Sequence, residues 1–276
     1  MKSFFKEGQV EAYATEIREK TQKLMDFVGS IAADYRTSDN LPLDNEGRLD
    51  PSHYRGLYND PATDTGRTTE GARRWHGDVA DETVVRKDSV QENERLEMLA
   101  YAIFWKNLKE KFIVARASRH DGDINKVHTV LLEKETGTLV CAFDEVGETA
   151  GIDYEKKLEA IRKQNVEEGG AALKYGLRVE TKDNKKAIVP GATKNIPLFY
   201  IALPRDRVDK GVKEFIPSPT SQSDFEQKLF AYFTSTILSQ VNGLELYSGR
   251  MEPALRERLR EFKKALEGFK TKESGP

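Results

Sequence analysis

Leu139-Val140-Cys141-Ala142-Phe143 is an unbroken apolar run that ends on two acids, Asp144 and Glu145. Side chains alternate between the two faces of a strand, so a run this apolar must be covered on both sides. It is expected to lie at the centre of a sheet. Two further strands precede it, Phe112 to Ala117 and Val127 to Leu132. The turn Glu135-Thr136-Gly137-Thr138 joins the second of these to the central strand as a hairpin. A helix is expected from Ser89 to about Lys111, with Ser89 and Glu92 in capping-box spacing and Leu96, Leu99, Ala100, Ile103, Phe104 and Leu108 on one face. Another follows over Tyr154 to Glu168, ended by Gly169-Gly170. Leu173 to Val179 and Ile196 to Leu203 read as later strands, with Asn184-Lys185-Lys186 as a loop between them.

The flanks are helical. Phe4, Phe5, Val10, Tyr13, Ile17, Leu24, Phe27, Val28 and Ile31 recur at helical steps. At the other end, Asp224 to Gln240 presents Phe225, Leu229, Phe230, Phe233, Ile237 and Leu238, and Pro253 opens a basic helix to Phe269. The layout is α+β, a central mixed β-sheet flanked by helices. It divides into an N-terminal helical arm (1–36), an extended polar linker (37–88) with one helical turn near Ser52 to Tyr58, a core (89–205) and a C-terminal helical region packing on the core (206–276).

Composition excludes more than it assigns. The 276 residues are 38% hydrophobic and 33% charged, enough for a core and too apolar for wholesale disorder. No apolar run is long enough to span a bilayer, and the segment after Met1 lacks the apolar stretch of a secretion signal, so a cytoplasmic setting without membrane contact is expected. One cysteine permits neither an internal disulfide nor a cysteine-based zinc site. With a net charge of -2, any contact with nucleic acid needs a local basic patch. Walker, Gly-x-Gly-x-x-Gly, His-Glu-x-x-His and Gly-x-Ser-x-Gly motifs are absent from the sequence.

Chemistry concentrates in the middle of the chain. A polar turn, Arg119-His120-Asp121-Gly122-Asp123, leads to Asn125-Lys126-Val127-His128, and Asp144-Glu145 closes the next strand. Glu94 and Glu97 lie one turn apart on the preceding helix. Carboxylates gathered at strand ends repel one another unless solvent or a cation separates them. A hard divalent ion such as Mg²⁺ takes a few carboxylate oxygens and completes its shell with water.

On Asp121, Asn125-Lys126-Val127-His128, Ala142-Phe143-Asp144, Lys156-Lys157-Leu158 and Lys174-Tyr175, the stretch 89–205 resembles the PD-(D/E)XK nuclease superfamily, and within it uncharacterised bacterial proteins. The resemblance implies a restriction-endonuclease-like core and phosphodiester hydrolysis of DNA or RNA with Mg²⁺ or Mn²⁺. It implies Asp144, His128, Asp121 and Glu97 as metal ligands, and Asp144, Glu145 and Lys156 or Lys157 as catalytic groups. Arg119, Lys126 and Lys174 become candidates for nucleic-acid contact. Two departures stand out: His128 occupies the place of the first metal-binding Asp, and Val146 the place of the signature lysine, a role for which Lys156 and Lys157 are the substitutes. The sequence therefore leaves two readings open, a metal-dependent nuclease and a catalytically inactive nuclease-fold module that binds nucleic acid or a protein partner. A homo-oligomer formed through the N-terminal helix is a further alternative. Arg73-Arg74-Trp75-His76, a charged aromatic cluster in the linker, is a candidate either for base stacking or for pinning the loop to the core.

Overall fold

The computed structural model describes residues 7–58, 82–146, 152–182 and 185–273; Arg73-Arg74-Trp75-His76 lies outside them. Among these residues the chain is α+β, with seven α-helices around a four-stranded mixed sheet. In order they are α1 (Glu7–Ser38), α2 (Glu82–Leu108), β1 (Phe112–Arg116), α3 (Arg119–Asn125), β2 (Thr129–Glu133), β3 (Leu139–Val146), α4 (Ile152–Glu167), β4 (Ala171–Leu173), β5 (Leu177–Lys182), β6 (Lys185–Pro190), β7 (Thr193–Ile196), β8 (Leu198–Ala202), α5 (Arg205–Glu214), α6 (Asp224–Glu245) and α7 (Pro253–Glu273). Two short 3-10 turns complete the described elements, Pro51–Tyr54 after α1 and Ser248–Arg250 after α6.

The main sheet runs β1-β2-β3-β8. β1, β2 and β3 form an antiparallel meander, whereas β8 joins β3 in parallel, with α4 in the crossover. The apolar run of β3 is therefore interior, as its composition requires, and Leu139 to Phe143 are all buried. β4–β7 and β5–β6 are two small antiparallel pairs nested between α4 and β8.

Both edges of the sheet are closed by borrowed hydrogen bonds. Along β8, residues 198, 200 and 202 face outward. The Asn165 amide accepts the Leu198 N–H (2.9 Å) and donates to its carbonyl (2.8 Å), and Gln240 does the same for Tyr200 (2.9 and 2.7 Å). The Tyr232 hydroxyl donates to the Ala202 carbonyl. Along β1, the Tyr35 hydroxyl accepts the Val114 N–H, and the backbone of Gly47 and Leu49 pairs with Arg116. Backbone groups at a sheet edge need such partners when they are buried.

Several elements differ from expectation. α2 begins at Glu82, so Ser89 lies inside the helix and not at its start. The turn around Asp121 is a helix, α3, capped by Ser118. Leu173 to Val179 is two strands broken at Gly176, and the expected loop at Lys185-Lys186 starts β6. Helix α5 is an additional element; its buried apolar side chains are only Val208 and Val212, one turn apart in an otherwise polar segment. α1 contributes to the core through its C-terminal half. Leu24, Phe27, Val28, Ile31 and Tyr35 belong to the same core as α2 and the sheet, while residues 11–16 stay exposed.

Candidate functional site

β2 and β3 set the site by register. Thr129 pairs with Phe143, which brings His128, just before β2, opposite Asp144. The His128 N–H donates to the Phe143 carbonyl at 2.9 Å. Alternation along β3 then splits the acids. Phe143 and Glu145 face α2, where Phe143 stacks on Phe104, and Asp144 faces α4. His128 sits at the rim and reaches both, with Nδ1 3.6 Å from Asp144 Oδ1 and 3.7 Å from Glu145 Oε2. The missing Cβ of Gly122 lets α3 close on the ring, since a β-carbon there would meet His128 Cδ2 at 3.2 Å.

Each candidate ligand has a protein partner. Asp144 Oδ2 makes an ion-pair contact with Lys157 Nζ at 2.6 Å, and the carboxylate is almost wholly buried. Of the two lysines, Lys157 is the one at the site; Lys156 is exposed on α4. Glu97 Oε2 receives two guanidiniums, Arg48 at 2.7 Å and Arg116 at 2.9 Å. Burial alone would raise the Glu97 carboxyl, but Arg48, the His128 ring and Arg116 outweigh it and hold it at about 2. The Arg116 guanidinium is lowered by burial and by its neighbour Arg48. Nδ1 of His128 accepts the Glu145 backbone N–H at 3.2 Å, and its Nε2 lies 4.0 Å from Glu97 Oε1.

Asp121 serves the fold instead. Its Oδ1 accepts from the Asn125 amide (2.7 Å) and the Lys174 N–H (2.8 Å), and its Oδ2 accepts from the Ser118 hydroxyl (2.7 Å) and the Tyr175 N–H (3.1 Å). Four donors leave it no role as a ligand beside His128. Its position corrects the expected four-ligand set: Asp121 clamps α3 to the turn after β4.

Glu145 is the exception to this pairing. It is fully buried, and no hydrogen bond of normal geometry reaches either oxygen. Burial, then Glu97, push its carboxyl well above the usual range, against weaker help from the Thr129 hydroxyl. Asp144 Oδ1 is likewise buried without a hydrogen bond.

The site opens on a cleft of about 220 Å³ between α2 and α3, lined by Arg48, Glu94, Glu97, Arg119, Asp123 and His128 among others. Arg119 is 56% exposed and pairs with Glu46 at 2.7 Å and Glu94 at 3.5 Å. Lys126, in the left-handed conformation that ends α3 (φ 55°), is exposed and donates to the Asp123 carbonyl. Lys174 lies on the far side of α3, its ammonium over the rings of Tyr58 and Tyr175.

Sequence reading missed Arg48 and Arg116. Arg116 carried a signal, a charge closing an apolar strand. Arg48 carried none, because its partner is 49 residues away.

A divalent ion does not fit this donor set. Among the described residues no three His, Cys, Asp or Glu side chains converge as a metal shell. Asp144 is neutralised by Lys157, Glu97 by two arginines, and His128 Nδ1 is engaged. No family model, curated protein or solved structure matches the chain. No helix among the described residues is long and apolar enough to cross a membrane.

Proposed function

We propose that this chain is a nuclease-fold module that binds nucleic acid, in which internal ion pairs stand where a catalytic cation would act. The order helix, three antiparallel strands, helix and a fourth strand parallel to the third supports a PD-(D/E)XK-like core. So do the acids at the β2–β3 rim and the lysine supplied to them by the crossover helix. The observation that carries the non-catalytic reading is the pairing of Asp144 with Lys157 and of Glu97 with Arg48 and Arg116. Buried charges already compensated in this way leave little electrostatic reason for a divalent ion to enter.

The test combines binding, cleavage and melting. Single- and double-stranded DNA and RNA are incubated with the protein in Mg²⁺ or Mn²⁺, beside Asp144→Ala. Binding without cleavage, and a melting temperature unmoved by millimolar metal, are expected. Cleavage that disappears in Asp144→Ala overturns the proposal in favour of the second reading, metal-dependent hydrolysis. One observation favours that reading: Asp144 Oδ1 and both Glu145 oxygens are buried acceptors with no hydrogen-bond donor.

A further inference from the structure

Behind α3, away from the cleft, three tyrosines meet. Tyr54 and Tyr175 are fully buried and touch edge to face, with centroids 5.1 Å apart. Tyr58 packs edge-on against Tyr175 at 5.6 Å and lies nearly parallel to Tyr54 at 6.4 Å, but is only partly covered. Its hydroxyl donates to the Lys174 carbonyl at 2.7 Å, and that of Tyr54 to the Gly176 carbonyl at 2.6 Å. Lys174 Nζ stands 5.4 Å from the centroids of both Tyr58 and Tyr175. The backbone beneath is fixed too, since Asp121 accepts the N–H groups of residues 174 and 175. Arg178, half exposed and paired with Glu180, supplies a second cation near Tyr58.

We infer that Tyr58, with Lys174 and Arg178, forms a stacking subsite for one base of a single-stranded nucleic acid. The inference rests on the nucleic-acid reading above and names the form of the strand and where it lies. An aromatic ring with cations beside it is the combination that holds single strands without sequence choice, because every base has a π-face and every linkage a charge. Tyr58 is pre-organised for this: its hydroxyl is anchored and its ring braced by two buried rings, so little side-chain freedom is lost on binding. Duplex DNA keeps its bases stacked inside and cannot offer one to the ring. Helix α3 separates the subsite from the cleft, presenting Gly122 and Asp123 to the cleft and His120 to Tyr175, 5.5 Å between ring centroids.

Fluorescence anisotropy with labelled single-stranded and duplex oligonucleotides tests this on the full chain. Tyr58→Ala is expected to weaken single-strand binding about 5- to 100-fold. Tyr58→Phe should stay within about twofold, since stacking needs the ring and not the hydroxyl. Lys174→Ala should lower the salt slope of single-strand binding by about 0.7. Melting curves confirm that each variant is folded. Wild-type binding that Tyr58→Ala leaves unchanged overturns the subsite while the nucleic-acid reading stands. Absence of wild-type binding to any oligonucleotide overturns both.

Discussion

Glu97 and Glu145 face the same side of the sheet, yet their environments drive them in opposite directions, and pH separates them. Glu97 falls from an ordinary 4.5 to about 2, so its ion pairs with Arg48 and Arg116 add stability above pH 4.5 that is lost as pH falls toward 2. By linkage that contribution is on the order of 3 kcal/mol. Glu97→Gln should therefore lie well below wild type in denaturant melts at pH 7, with the gap narrowing at pH 3. A gap of equal size at both pH values would remove the ion-pair account. Glu145 has the reverse sign. Its folded-state carboxyl is raised, so stability is intact below the ordinary glutamate range and declines as pH climbs toward the raised value. Replacing it with an uncharged amide removes that decline. Glu145→Gln should match wild type near pH 4 and become the more stable of the two toward pH 8, measured by the same melts.

At the scale of elements, Asp121 is the joint between α3 and the turn after β4. Asp121→Ala strands the N–H groups of Lys174 and Tyr175 and removes two side-chain bonds. A loss of about 2–6 kcal/mol is expected, at about 1–3 kcal/mol for each of the two N–H groups left unpaired. Amide exchange should quicken at Lys174 and Tyr175 while β3 keeps its protection; unchanged exchange at those two amides would assign the clamp to other contacts. The sequence made the sheet strands legible because apolar runs of five to eight residues declare themselves. Helix α6 declared itself too, and Phe225, Leu229, Phe230, Phe233, Ile237 and Leu238 all lie in the core. Asp144 and His128 were legible as polar residues beside such runs. Asp121 was visible as a turn acid, but its four donors come partly from 53 and 54 residues downstream, which no local pattern encodes. The same distance hid the buried pair Lys106–Glu226, whose partners are 120 residues apart.

For the whole molecule, α1 divides into a dispensable and an essential half. Removing residues up to 16 takes the exposed stretch 11–16 and none of the described core, and should leave a cooperative melt. Removing all 38 also takes Leu24, Phe27, Val28, Ile31 and Tyr35 from the core. At about 1.5–3 kcal/mol for each buried side chain, that approaches the full stability of a typical domain. Circular dichroism melts of the two truncations check this; a cooperative melt of the shorter chain would overturn it. The sheet carries a different consequence. Among the described residues, two side-chain amides, the hydroxyls of Tyr35 and Tyr232 and a short stretch of loop occupy the edge groups that would otherwise be open to the strands of another molecule. Asn165 and Gln240 thus act as stoppers against fibre-like growth, and their worth is measured less in how tightly one copy folds than in how many copies remain apart.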